Sequence, residues 1–251
     1  MTKKLLSITV ATVLFVTFLG SADASSPNKE GFFDRVGSEI TKSNEDLRMV
    51  SEPSIFKIVD LTETDKVNLK TKVLDQKTYM VQQNGFLESN ATQYVTDFVV
   101  MASYPSSMSD NGKDSKGLVH MFITVYWTKH GREDMYINLD KVSWRYEHSS
   151  DARTINSSKT YYQNGPGLDG KGKSQSKTLP EYGTTNPSDV PAVLSGTVAT
   201  RDWGWNPVLS GGLATKVGMI SDNTIAKVSN PKDKWSWRFG LLIEGTYPSY
   251  P

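Results

Sequence analysis

The stretch from Leu118 to His148 constrains the fold most, because it has the clearest strand periodicity in the chain. Apolar side chains occupy alternate odd positions before and after a polar turn at residues 129–133: Val119, Met121, Ile123, Val125 and Trp127, then Met135, Ile137 and Leu139. Side chains two residues apart share one face of a strand. The pattern therefore predicts a long β-hairpin with one buried face.

The second half of this hairpin changes phase near Asp140 and Lys141. From Val142 the apolar positions become even, with Trp144 and Tyr146 following at the same spacing. A shift by one residue moves a whole row of side chains to the other face of a sheet, unless an irregularity in the strand accommodates one extra residue. We therefore expect a β-bulge or a bend at this point.

Other runs extend the β pattern along most of the chain. Residues 94–104 are apolar on both faces, which is typical of a central strand, and residues 235–243 alternate strictly. We predict an all-β fold, an antiparallel β-sandwich or jelly-roll-like domain over residues 53–251. A short N-terminal helical segment is expected at 25–52, and a long exposed loop at 165–190, which is polar and contains three prolines.

The N-terminus has the features of a secretory signal peptide. Lys3 and Lys4 precede an apolar run over residues 5–20 and the small-residue site Ala22-Asp23-Ala24. The run is shorter than the roughly 20 residues of a membrane anchor. We expect residues 1–24 to be removed by cleavage after Ala24, and the product to be secreted to the extracellular space without a transmembrane anchor. The absence of cysteine favours a Gram-positive host.

Charge and motifs narrow the possible functions. Lys and Arg number 28 against 27 Asp and Glu, so the balance gives no reason to expect a nucleic-acid partner. The chain lacks the H-E-x-x-H and G-x-S-x-G motifs of common hydrolases. We expect no cofactor and no metal site, and the catalytic residues of any activity cannot be assigned from the sequence.

Aromatic pairs are the best candidates for ligand binding. Trp203 and Trp205 lie two residues apart beside polar neighbours, and Tyr161 and Tyr162 precede the predicted loop. Flat aromatic rings that are partly exposed can stack on sugars. For Trp203 and Trp205, packing in the core is the more ordinary interpretation.

A second candidate cluster comprises His120, His148 and Glu147. If the two hairpin strands pair, both histidines come to the same end of the hairpin, where Glu147 would complete an acid–base or metal-binding arrangement. The alternative is that they are ordinary surface or half-buried side chains.

Several segments resemble those of a loose group of uncharacterised exported proteins of Gram-positive bacteria. The similar segments lie within residues 118–245, at 135–137, 141–144, 159–165, 205–208, 212–217 and 235–237. The resemblance implies a secreted β-sandwich-like domain, and it implies no established activity, catalytic residue or cofactor.

These observations favour a secreted or cell-surface-associated binding protein that is not an enzyme. A glycan or another cell-wall component is the preferred ligand. Two alternatives stay open: a secreted hydrolase whose acid and base meet only in the folded chain, and a secreted toxin or antimicrobial protein.

Overall fold

The computed structural model describes residues 47–52, 55–61, 69–83, 91–103, 118–130, 136–211 and 214–244. These residues form two antiparallel sheets, which confirms the predicted all-β sandwich. Sheet A has the strand order β1-β3-β4-β5-β6-β10, with β11 also paired to β6. Its strands are β1 (Leu47–Glu52), β3 (Lys70–Gln83), β4 (Ala91–Ser103), β5 (Val119–His130), β6 (Tyr136–His148), β10 (Val193–Val198) and β11 (Val208–Leu209).

Sheet B has the order β2-β13-β12-β7-β8, and β9 pairs with β7 as well. Its strands are β2 (Lys57–Asp60), β7 (Ala152–Pro166), β8 (Gly172–Lys173), β9 (Ser176–Gly183), β12 (Lys216–Lys227) and β13 (Lys234–Glu244). Apolar side chains from both sheets pack into one core, which includes Phe98, Ile123, Trp127, Met219, Trp237 and Phe239. Burial of this shared apolar surface holds the sheets face to face.

The predicted hairpin consists of β5 and β6, paired along their whole lengths. The phase change is a β-bulge: Tyr126 faces Lys141 and Trp127 faces Leu139, so Asp140 is the extra residue. Asp140 turns its carboxylate to the Thr128 hydroxyl, which donates to it at 2.5 Å. The bulge thus keeps the apolar residues before and after it on the inner face, as the sequence predicted.

β4 is a central strand, also as predicted, because it lies between β3 and β5. Both of its faces are buried, with Phe98 and Val100 on the inner side and Val95 and Val99 on the outer side. Leu74 and Phe122 from the neighbouring strands pack around Val99 in a small cluster outside the sandwich core.

The prediction of a helical segment over 25–52 is wrong for its last six residues. Leu47–Glu52 is β1, which pairs with β3 at the edge of sheet A. The helical spacing of the apolar residues was therefore outweighed here by the tertiary pairing with β3. The signal peptide and residues 25–46 lie outside the described residues.

The prediction of a long loop over 165–190 is also wrong. That stretch contains the end of β7, β8, β9 and a 3-10 helix at Pro187–Asp189. The sequence of β9 is typical of a loop because most of its side chains are exposed and polar, as expected for a strand at the edge of a sheet. Its Pro180 adjoins a register shift, and proline is tolerated in sheets at edges and bulges.

None of the helices in the described part of the chain is long and apolar enough to cross a membrane.

Candidate functional site

The inner face of β7 is mostly polar, although it points into the sandwich. Five of its buried side chains carry polar groups: Thr154, Ser157, Lys159, Tyr161 and Gln163. Buried polar groups need hydrogen-bond partners, and on β7 these partners come from both sheets and from a connecting segment. The half of the sandwich around β6, β7 and β12 therefore contains a strip of buried polar side chains.

The connection from β10 to β11 crosses the edge of the sandwich beside this strip. It begins with a 3-10 helix at Thr200–Trp203, which Gly204 ends in the left-handed conformation. The Thr200 hydroxyl donates to the carbonyl of Leu139 in sheet A at 2.5 Å. The Gln163 side chain of sheet B donates to the carbonyl of Asn206 at 2.8 Å. The connection is thus hydrogen-bonded to both sheets.

Three aromatic rings meet at this edge, and we call Tyr161, Trp203 and Trp205 the aromatic cap. The Trp203 ring lies edge to face with the Tyr161 ring at 5.6 Å and with the Trp205 ring at 4.8 Å between centroids. Tyr161 is fully buried, whereas both tryptophans are half-buried and pack against the core. The structure thus brings together three of the four aromatic residues predicted from the sequence, and both tryptophans pack against the core while part of each side chain stays exposed.

Glu181 anchors the buried end of the cap. Ser157 faces Tyr182 and Ser158 faces Pro180, so Glu181 is the extra residue of a bulge in β9. Bulges can redirect side chains, and Glu181 accepts a hydrogen bond from the Tyr161 hydroxyl at 3.1 Å. Burial, followed by the nearby Glu181 carboxylate, raises the pKa of Tyr161. Tyr161 therefore stays a neutral phenol whose hydroxyl donates a hydrogen bond to Glu181.

Gln175 fixes the exposed end of the cap. Its side-chain amide donates to the carbonyls of Gln163 at 2.8 Å and Asn206 at 3.0 Å, and it accepts from the Asn206 backbone N–H at 2.7 Å. Asn206 directly follows Trp205, so these bonds hold the backbone beside the indole in one position. An anchored backbone loses little conformational entropy when a ligand binds to the ring.

Polar groups surround the cap. The Lys177 Nζ atom lies 4.6 Å from the centre of the Trp203 ring, a cation–π distance. The Asn206 side chain is exposed and makes no hydrogen bond with any described residue. Amide and ammonium groups beside half-buried indoles are the partners that sugar hydroxyls require.

Tyr162, the fourth aromatic candidate, lies apart from the cap. It follows Tyr161 on the same strand and therefore points to the outer face of sheet B. There its ring packs against the Lys216 Nζ atom at 4.3 Å.

The histidine cluster is divided between the two faces of sheet A. His120 faces Glu147 directly across β5 and β6, on the outer side, where Glu147 pairs with Arg145 at 2.7 Å. His148 faces Val119, which is buried in the core, and so it lies on the inner side. His148 stacks on Tyr146 and bonds to the Thr154 hydroxyl at 3.0 Å through Nε2. The geometry thus brings His120 to Glu147 and separates both from His148.

Burial lowers the pKa of both histidines. For His120 the nearby Glu147 carboxylate opposes the effect. For His148 burial dominates and lowers the pKa to about 4. At neutral pH His148 is therefore a neutral ring, and its hydrogen bond to Thr154 joins the end of β6 to the start of β7.

Sequence reasoning missed a buried polar network around Lys159. Its Nζ atom donates to the Ser157 hydroxyl at 3.0 Å and lies 3.8 Å from the centre of the Trp144 ring. Ser157 in turn donates to the Asn223 side-chain oxygen at 3.0 Å. The available signal was the alternation of Ser157, Lys159, Tyr161 and Gln163, which has strand spacing but lacks the apolar residues by which an inner face is recognised.

Metal binding has no support among the described residues, where no group of three or more His, Asp or Glu side chains is placed to hold an ion. Comparison of the chain with family models, with curated proteins and with solved structures finds no match in any of the three. The function must therefore be argued from the arrangement of the residues themselves.

Proposed function

We propose that this chain is a secreted β-sandwich protein that binds a glycan, with a component of the cell wall as the preferred ligand, through the aromatic cap. The observation that carries the proposal is the half-buried pair Trp203 and Trp205, held beside free polar groups by the hydrogen bonds of Gln163 and Gln175. Each sugar ring has an apolar face and a rim of hydroxyls, so it needs both a flat apolar surface and nearby hydrogen-bonding groups.

Rigidity of the cap supports this function. The Trp203 indole is fixed by its contacts with Tyr161 and Trp205, and the backbone after Trp205 is fixed by Gln175. A preformed surface of this kind avoids most of the ordering cost that weakens binding by mobile side chains. The Asn206 amide and the Lys177 ammonium then supply donors at the rim.

Sedimentation with insoluble glycans tests the proposal. Purified protein lacking residues 1–24 is mixed with peptidoglycan sacculi and, separately, with insoluble neutral polysaccharides, and the bound fraction is measured against protein concentration. We expect saturable binding to at least one of them, and an affinity about tenfold weaker in Trp205→Ala, which corresponds to about 1.4 kcal/mol.

Trp235→Ala is the matched control, because Trp235 is another half-buried tryptophan, on β13, with Lys227 near its ring. It should leave the affinity unchanged. Failure of the wild type to bind any of the glycans, or equal losses in the two variants, would contradict the proposal.

A further inference from the structure

Lys159 is the one lysine among the buried residues of the part of the chain that the structure describes. Its side chain is fully buried between the sheets, with the Nζ atom over the Trp144 ring at 3.8 Å and 5.1 Å from the centre of the Tyr146 ring. The ion pairs of the described residues do not include it, and its single hydrogen-bond partner there is the neutral hydroxyl of Ser157. A buried ammonium without a carboxylate is energetically costly.

Asn223 lies on the other side of Ser157. Its side-chain oxygen accepts hydrogen bonds from the Tyr146 hydroxyl at 2.7 Å and from the Ser157 hydroxyl at 3.0 Å. Its nitrogen donates to the carbonyl of Trp237 at 3.1 Å. Two hydroxyls directed at one carbonyl oxygen withdraw electrons from the carbon and stabilise the negative charge that develops when a nucleophile adds to it.

The strands place these two groups on one face of sheet B. Ser157 of β7 faces Asn223 of β12 directly, and Lys159 is the next inward-pointing residue of β7. The Ser157 hydroxyl is 3.0 Å from the Lys159 nitrogen and 3.0 Å from the Asn223 oxygen. An amine and a polarised carboxamide are therefore held beside one hydroxyl, in a site that is closed to solvent.

We propose that Lys159 and Asn223 join in an intramolecular amide bond. The Lys159 ammonium gives up one proton and its nitrogen adds to the Asn223 side-chain carbonyl carbon, so that a bond forms between that carbon and Nζ and the bond between the carbon and the Asn223 nitrogen breaks. The Ser157 hydroxyl relays protons from Nζ to the leaving nitrogen, and the two protons that Nζ loses leave with this nitrogen as an ammonium ion, which carries away the positive charge. Nothing is oxidised or reduced, and no further reactant is required.

The bond removes the cost of the buried charge, because the product nitrogen is a neutral amide. It also links β7 to β12 covalently in a chain that has no cysteine and hence no disulfide. Closing a long segment of chain in this way restricts the unfolded state as a disulfide does.

Mass spectrometry tests the inference on the wild-type protein, independently of glycan binding. We expect the intact mass to fall short of the sequence mass by about 17 Da, the mass of one ammonia. Trypsin should then release a branched species in which residues 154–171 are linked to residues 217–227, since an acylated Lys159 is not cleaved. The branched species also distinguishes the amide bond from a succinimide, which loses the same mass but leaves two linear peptides.

Lys159→Met removes the amine and keeps a long apolar side chain, so it should restore the full mass. Lys72→Met, which removes an exposed lysine of β3, should keep the deficit. If the wild type shows its full mass, and the linear peptide 154–159 is recovered in the same yield as its neighbours, the inference is overturned.

Discussion

Trp144 and Gly196 face each other across β6 and β10, and the indole lies over the glycine. A Cβ atom on Gly196 would come within 2.4 Å of the Trp144 ring. The missing side chain lets the indole lean towards the edge of the sandwich, where it covers the Lys159 Nζ atom. The buried network therefore depends on a glycine in a different strand.

Gly196→Ala should lower the free energy of unfolding by about 1–3 kcal/mol, because the indole must move within a packed core. Chemical denaturation monitored by circular dichroism measures the change. Gly183→Ala is the control, since a Cβ there meets nothing within 4 Å, and it should change stability by less than about 0.5 kcal/mol. Equal stabilities of the two variants would show that the indole does not require the glycine.

A strand of this fold can be recognised in the sequence when the side chains that it buries are apolar. β5 and β6 bury apolar residues at every second position, so both the hairpin and the bulge at Asp140 are visible in the sequence. β7 buries Ser157, Lys159 and Gln163 at the same spacing, and a polar row does not reveal which face is inside. The partners that make this burial possible come from β6, β12 and the connection before β11, and only folding brings them together.

The candidate site could also be predicted only in part from the sequence. Trp203 and Trp205 can be identified as a pair from the sequence because a single residue, Gly204, separates them. Glu181, Gln175 and Lys177 could not be assigned to the site, because they belong to a stretch whose polar composition indicates a loop. Their roles follow from the pairing of β9 with β7 and from the bulge at Glu181.

Asp97 should destabilise the protein at neutral pH. It is buried on the outer side of β4, accepts a hydrogen bond from Thr124 at 2.6 Å, and has a pKa raised by burial from 3.8 to about 6. The folded state then binds the proton more tightly than the unfolded state, so this group makes stability fall as pH rises from about 4 to 6.

Asp97→Asn keeps an acceptor for Thr124 and removes the charge. We expect it to raise the free energy of unfolding by about 2–3 kcal/mol at pH 7 and to have little effect at pH 3.5. Denaturation at the two pH values measures this difference, and a gain of the same size at both would show that ionisation is not its cause.

His148 has the opposite effect on the pH dependence of stability. Its pKa falls from 6.5 to about 4 in the folded protein, so the unfolded state binds the proton more tightly between these values. Its contribution to stability is complete above about pH 6.5 and is lost as pH falls towards 4, by about 2–3 kcal/mol. In the wild type this loss overlaps the opposing contribution of Asp97.

In the Asp97→Asn background the slope due to His148 should appear clearly, with stability falling between pH 6.5 and 4. Adding His148→Gln, which keeps a side chain able to bond to Thr154, should make that slope shallower and leave only the part due to His120, whose pKa is also lowered by burial. Denaturation midpoints at half-unit pH intervals report the slope, and an unchanged slope in the double variant would assign the pH dependence to groups other than His148.

Gln175 should control the rigidity of the cap. Gln175→Ala removes the acceptor of the Asn206 backbone N–H and the donor to the Asn206 carbonyl. We expect hydrogen exchange at the Asn206 amide to become at least about tenfold faster. In Gln76→Ala, which removes a single bond to the Phe56 carbonyl, the Asn206 rate should not change. An unchanged rate in Gln175→Ala would mean that Gln175 does not hold this segment.

The most direct test of glycan binding at the aromatic cap is an NMR titration of the six tryptophan indole N–H signals with soluble cell-wall oligosaccharides. Trp127 and Trp237 are internal references, because both are buried and their indoles donate to Thr96 and Thr71. We predict that the signals of Trp203 and Trp205 shift in a saturable manner while those of Trp127 and Trp237 stay in place. Saturable shifts confined to other tryptophans, or no shift with any of the oligosaccharides, would contradict the assignment of the cap as a glycan-binding site.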